Sequence, residues 1–422
     1  MPLSFLARRK PAAVRLLTLW LGAGLSNAAL ALPFAAESLD HRIEAAASYL
    51  HAQVDEQGLM VYRRNVSTGK IAQGRYNVLR HAGSLLALAE YHQEHPPDAA
   101  QTNAIERAFG FLRHCCLAPA GKGAEGLAVW SPPELVGGRR QYAVAKLGGA
   151  GLTLAAMAQW RRLKPEAVRL VEMQELGRFI VSMQAGDGRF RSLHAHASGQ
   201  HDPAWVSLYY PGEAALGLIL LYEHDGDVRW LEAAIDALRA LARDRENQTT
   251  PPPDHWALLA TARLWRQEQR QLDAALPEGF SWQPAEGRIA LAPLLLAHGQ
   301  AVARVMLSDQ KSPKELSCAQ GGFTPDGRST PTATRLEGLL GLLTVLPEGA
   351  DRSMIQTGVE AGMAFLLDAQ YVNGVFTGAF ARVSSACPAN DPRAHEVRID
   401  YVQHALSAMQ AYRTLRLSSN SP

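Results

Sequence analysis

Five short phrases and one lysine hold the side chains best suited to chemistry. They are Tyr76-Asn77-Val78-Leu79-Arg80-His81, Lys146, Tyr209-Tyr210-Pro211-Gly212-Glu213, Asp254-His255-Trp256, Thr334-Arg335-Leu336-Glu337 and Arg398-Ile399-Asp400-Tyr401-Val402-Gln403-His404. Pro211 suits a first helical position, and Glu213 then falls in the first turn, where the positive end of the helix dipole favours a carboxylate. Asp400 can cap a helix in the same way. These two are also the carboxylates best suited to flank a glycosidic bond, Glu213 as general acid and Asp400 as base. His81, Tyr210 and His404 are groups able to move a proton, and Arg80, Arg335 and Arg398 have the planar fork of donors that holds a carboxylate. That second set suits elimination or epimerisation of a uronate. Tyr76, Asn77, Lys146, His255, Trp256, Glu337 and Gln403 complete the set as rings and hydrogen-bonding groups for a sugar. A lone histidine or a ring at a helix start is more often a satisfied core group. Recurrence at matching points of six segments is what sets these apart.

Other chemistries find little support. The chain has no Walker loop, dinucleotide glycine fingerprint, Gly-x-Ser-x-Gly elbow or His-Glu-x-x-His motif. A formal net charge of +2 without a basic run argues against a nucleic-acid partner. No cofactor and no metal are expected. His81, His255 and His404 would suffice in number for zinc but come from separate segments, and His114-Cys115-Cys116 lacks a second ligand pair. Cys115, Cys116, Cys318 and Cys387 allow one or two disulfides in an oxidising compartment, with the pairing left open.

Residues 1–31 read as a secretory signal. Arg8, Arg9, Lys10 and Arg15 precede an apolar run from Leu16 to Leu25 and an Ala29-Leu30-Ala31 cleavage site. A periplasmic or secreted protein is expected, mature from Leu32 as a single domain over 32–422, with no stable membrane span after cleavage. Strand signals are scarce. Helical periodicity predicts twelve helices: Leu39–Val54, Asn77–His92, Asn103–Cys116, Leu147–Leu163, Pro165–Met183, Pro211–Glu223, Val228–Arg243, Asp254–Glu268, Arg288–Ser308, Thr332–Leu346, Asp351–Ala369 and Ile399–Leu415. The odd members carry an apolar stripe and charges, as in Trp230, Leu231, Ala234, Leu238 and Leu241 beside Arg229, Asp236 and Arg239. The even members are apolar nearly all round and rich in small residues, as in Gly148-Gly149-Ala150-Gly151. Most links from odd to even helices are long, and long loops are commonly functional. Several open with a glutamine and a turn: Gln53 with Gly58, Gln184 with Asp187-Gly188-Arg189-Phe190, Gln320 with Asp326-Gly327, and Gln370 with Asn373-Gly374-Val375-Phe376.

The alternation of helix types, the recurring turns and the small-residue even helices resemble the α/α toroid class, which includes six-hairpin glycosidases, toroidal polysaccharide lyases and sugar epimerases. The resemblance spans Leu39 to Leu415 and implies an all-α (α/α)6 toroid with its long loops over the N-terminal ends of the inner helices. It implies a glycan as partner: a polysaccharide or cell-envelope glycan, hydrolysed by a carboxylate pair. A uronate lyase or sugar epimerase is the alternative, and a non-catalytic glycan-binding or assembly protein the non-enzymatic one.

Overall fold

The computed structural model describes residues 36–419 except 73, 138–141, 196–204, 268–271, 273, 285, 312–317 and 389–390. The expected leader, residues 1–31, lies outside these. Twelve long helices are present among the described residues: α1 (Ala36–Ala52), α2 (Val78–Glu94), α3 (Ala99–Cys115), α4 (Leu147–Leu163), α5 (Leu170–Ser182), α6 (Tyr210–Asp225), α7 (Val228–Arg245), α8 (His255–Trp265), α9 (Leu291–Ser308), α10 (Ser329–Leu343), α11 (Ala350–Asp368) and α12 (Ile399–Ser419). α5 starts five residues later than periodicity predicts, since residues 165–168 form turns and a bend. α10 starts three residues earlier, with Pro331 in its first turn, where a missing N–H is harmless.

The even helices close a ring. α2 packs on α4, α4 on α6, α6 on α8, α8 on α10, α10 on α12, and α12 returns to α2. Around them the odd helices seat in the grooves: α5 touches α4 and α6, α7 touches α6 and α8, and α1 touches α12 and α2. Burial follows the sequence pattern. Every residue from Leu147 to Trp160 of α4 and from Pro211 to Leu221 of α6 is buried, whereas α7 buries one stripe and leaves Arg229 and Arg243 exposed.

Small residues let the inner helices meet backbone to backbone. A Cβ on Gly151 would lie 2.6 Å from the carbonyl oxygen of Glu213, and one on Gly217 would lie 2.7 Å from the carbonyl oxygen of Gly151. The outer ring uses glycine differently. Gly58, after α1, has φ +82° and leaves a Cβ position 2.0 Å from the carbonyl oxygen of Arg107 on α3; Gly188 abuts Asp236 on α7 in the same way. In the two later loops the glycines against the next outer helix are Gly321, facing Ala361, and Gly378, facing Ala45. Gly327 and Gly374, expected as turn glycines, have φ +65° and +77° and do not abut the next outer helix: a Cβ on Gly327 would meet the Cys387 sulfur, and one on Gly374 would meet nothing within 4 Å.

Strands occur only as short pieces of the long loops, two to five residues each. β1 (Arg63–Asn65) pairs antiparallel with β8 (Glu396–Arg398), tying the first long loop to the last. β2 (Leu117–Pro119), β3 (Leu127–Ser131), β4 (Val144–Lys146) and β5 (Leu193–Ala195) form one antiparallel sheet, and β6 (Phe280–Ser281) pairs parallel with β7 (Ile289–Ala290). β4 and β8 run directly into inner helices α4 and α12, so these pairings aim Lys146 and Arg398. The cysteines pair as Cys115–Cys116 and Cys318–Cys387, the latter joining the loops before α10 and α12. α9 is 18 residues long and apolar enough by composition to cross a membrane, although the sequence reading identified no later span. Here it packs on α7, α10 and α11 as part of the outer ring.

The α4–α6 crossing yields a prediction. Gly151→Val should cost about 1 to 3 kcal/mol of unfolding free energy through overpacking, measured by chemical denaturation. Stability equal to the parent would show that the crossing tolerates a wider gap.

Candidate active site

The N-terminal ends of the inner helices surround a cavity of about 420 Å³. Its lining includes Asn77 and Arg80 from α2, Tyr210 and Glu213 from α6, His255 and Trp256 from α8, Arg335 from α10, and Arg398, Asp400, Gln403 and His404 from the start of α12. A recess of about 640 Å³ shares Asn77, Arg80 and Tyr210 with it and adds Tyr76 and Lys146. The structure thus brings together residues from all five phrases in one cavity, with the lysine in the adjoining recess.

Local capping explains part of the convergence. Asn77 accepts the Leu79 N–H at 3.0 Å to start α2, and Asp254 accepts the Ala257 N–H at 3.1 Å to start α8. Asp254 is fully buried and pairs with Arg245 at 2.9 Å. Glu213 stands nearby with its Oε2 buried and without a hydrogen-bond partner. Burial, followed by the charge of Asp254, pushes its carboxyl up to about 8, so it is a neutral acid at pH 7. Gly148 makes the space, because a Cβ there would lie 1.9 Å from that oxygen.

Asp400 is handled in the opposite way. Arg398 grips both its oxygens at 2.9 and 2.8 Å, and Arg80 Nε adds a contact at 3.0 Å. Both of its oxygens are therefore engaged by guanidinium donors. Asp400, expected as the general base, is found here anchoring Arg80 and Arg398.

Two further expectations change. His81 is fully buried and lines neither the cavity nor the recess: its Nδ1 meets the Tyr76 hydroxyl at 2.6 Å and its Nε2 the Ala108 carbonyl at 3.0 Å. Both nitrogens are committed to joining α2 to its surroundings, and burial lowers the imidazole to about 4, so it is a neutral structural group. Glu337, expected to touch substrate, lies beneath His404 and accepts its Nδ1–H at 2.8 Å. With His404, Gln403 and Trp256 it also lines a separate cavity of about 620 Å³ reached from the other ends of the inner helices. Gln403 is braced from behind, accepting the Ser84 hydroxyl at 2.9 Å.

The imidazoles of His255 and His404 meet edge to face with centroids 5.6 Å apart. Both nitrogens of His255 are buried without a hydrogen bond, the nearer carboxylate oxygen, on Glu337, lying 3.8 Å away. Burial, then the charge of His404, holds His255 well below the usual imidazole range. For His404 burial also opposes charge, but the Glu337 carboxylate and its hydrogen bond outweigh it and hold His404 above that range. The site therefore contains one imidazole held well below the usual range beside one held above it. His255, Glu337 and His404 are also the one group among the described residues with the spacing to hold a metal ion. The direct His404–Glu337 hydrogen bond satisfies both partners without one.

Sequence reasoning missed Tyr62, Arg328 and Arg382. Tyr62 lines the recess and hydrogen-bonds Arg80. Arg328 and Arg382 reach the cavity from two loops joined by the Arg328–Val383 bridge and the Ser329 N–H to Arg382 carbonyl bond of 3.1 Å. No periodicity marks residues placed by loop pairing.

No model of a known protein family matches the sequence, and no curated protein matches it. Among solved structures it is similar to D-mannose isomerase, with TM-score 0.62 and 12% identity over 89% of this chain and 97% of that one. Cellobiose 2-epimerase from Spirochaeta thermophila DSM 6192 gives 0.59 and 14% over 90% and 97%. The family 76 glycoside hydrolase (mannosidase) of Bacteroides thetaiotaomicron VPI-5482 gives 0.58 and 11% over 90% and 100%. The fold is the (α/α)6 toroid. At these identities the likeness carries the architecture, and the chemistry of this toroid has to be argued from its own side chains.

The raised carboxyl is testable through stability. Folded Glu213 keeps its proton up to about pH 8, whereas unfolded it ionises near its ordinary 4.5, so stability falls as pH rises between those values. Glu213→Gln cannot ionise and should gain on the parent by up to about 4 kcal/mol between about pH 5 and pH 8. Parallel denaturation curves for the two proteins across that range would refute a neutral Glu213.

Proposed function

We propose that the protein is a carbohydrate-active enzyme that interconverts sugars at the carbon beside the carbonyl, as an epimerase or isomerase. The observation that carries this reading is the adjacent His255–His404 pair lining the cavity, one imidazole held well below its usual range and the other above it. Two titratable groups pushed to opposite protonation states by their surroundings make a natural base and acid. His255 takes the proton from the carbon next to the carbonyl of an open-chain sugar. The electron pair moves to the carbonyl oxygen, which His404 protonates to give an enediol. Return of a proton to the same carbon from the other face, with the newly formed hydroxyl giving its proton back to His404, gives the epimer; return to the neighbouring carbon, with the other enediol hydroxyl losing its proton to become the carbonyl, gives the isomer. No redox partner is consumed. Glu337 is the positioning residue for His404, and Arg80, held by Asp400 on the same lining, is a cation available to the developing oxyanion. The isomerase and epimerase names borne by structures of this fold support the reading.

Hydrolysis is the second reading, favoured by Glu213, whose neutral carboxyl suits a general acid. It ranks lower because the expected base, Asp400, is engaged on both oxygens. A passive glycan binder would have little use for an unpartnered buried imidazole, which is costly to keep. The polar lining also counts against a lipid tunnel. From its leader we place the enzyme in the periplasm or outside the cell.

His255→Gln and His404→Gln should each lower turnover by about 10² to 10⁴ without unfolding the chain. In D₂O the parent should introduce deuterium at the carbon beside the carbonyl, read by NMR across a panel of reducing sugars. New reducing ends without deuterium would instead favour hydrolysis. The rate should fall at alkaline pH as His404, facing Glu337, His255, Asp400 and Arg80, loses its proton above the ordinary imidazole range. Activity lost to a chelator and restored by zinc would replace the acid–base pair with a metal centre.

A further inference from the structure

We infer that the sugar taken by this cavity carries an anionic substituent, a carboxylate in first place, held by an arc of arginines running from α10 through α12 to α2. The inference rests on the reading of the cavity as a sugar site and adds the class of sugar. Arg328, Arg335, Arg382, Arg398 and Arg80 all line the cavity. The acids lining it are Asp400 and Glu213, of which Glu213 is neutral and Asp400 is shared by two guanidiniums. The chain as a whole carries only +2, so the excess is local.

The other three arginines have acidic partners, but these stand outside the cavity. Asp326, Asp309 and Asp391 have side chains 55%, 49% and 37% exposed, and none lines the cavity. Water around those carboxylates weakens their hold, while a ligand inside the cavity would meet the guanidiniums in a drier setting where attraction is stronger. Arg328 and Arg382 bond their aspartates through Nε, on the stem side of the fork, not through the Nη ends. A guanidinium offers five donors, and its flat fork matches a carboxylate. The adjoining recess adds Arg75 and Lys146, and no acid lines it among the described residues. A purely structural role for the arginines would not call for five of them on the lining of one cavity facing so little negative charge.

The test is titration calorimetry of the full chain with glucuronate, glucose 6-phosphate and glucose at low and high salt. Glucuronate should bind at least about ten-fold more tightly than glucose, with the margin shrinking at high salt as screening grows. Arg328→Gln and Arg382→Gln should each reduce the margin about three-fold or more, and Arg382→Lys should keep part of it. Equal binding of glucose and both anions would overturn the inference. A preference for the phosphate over the uronate would overturn the carboxylate and leave an anionic sugar. Deuterium exchange on the same three sugars separates this from the proposed reaction. Equal exchange into glucose and glucuronate sinks the anionic preference and leaves the reaction. Tight, salt-sensitive uronate binding without exchange does the reverse, and failure of all three sugars to bind sinks both.

Discussion

Close approach of the inner helices is the constraint on which the rest depends. Gly151, Gly217 and their neighbours allow α4 and α6 to touch main chain to main chain, and small residues recur along the other even helices. The ring of six helices holds a cavity toward each end, with Trp256, Gln403 and His404 lining both. Five of the long loops sit at one end, and there the first turns of the inner helices bring polar groups to the axis. A carboxylate at that end gains from the helix dipole, which is one reason Glu213 and Asp400 occupy first turns.

Concentrating ionisable groups at the centre of a protein raises the problem of burying charge, and the site resolves it in three ways. Asp400 is shared by two guanidiniums. Glu213 gives up its charge in a niche that exists because residue 148 has no side chain. His404 and Glu337 are hydrogen-bonded to each other, while burial holds the neighbouring His255 well below the usual imidazole range. The three solutions are local, yet each depends on a residue from a different inner helix, so ring closure and site assembly are the same event.

The outer ring has its own logic. Glycines in the loops after α1, α5, α9 and α11 press against carbonyls of the following outer helix, with φ values that side chains resist. Those contacts fix the spacing of the outer helices and hence where the long loops begin. The loops then pair with one another as short strands, and this pairing rather than helix geometry delivers Arg328, Arg382 and Arg398 to the cavity.

Helix number, the alternation of inner and outer character, and the convergence of polar phrases at inner helix starts were legible because they are local: periodicity and the placing of glycine and proline act within a few residues. Which groups would face the cavity was legible only as far as helix starts could carry it. His81 and His404 look alike in sequence, each a histidine near the beginning of an inner helix, yet one is spent on the Ala108 carbonyl and a tyrosine hydroxyl while the other meets Glu337. Residue type and helical phase were determined by the chain itself. Protonation, pairing and the fate of each carboxylate were decided by tertiary structure, because those properties depend on burial and on charges contributed by residues distant along the chain.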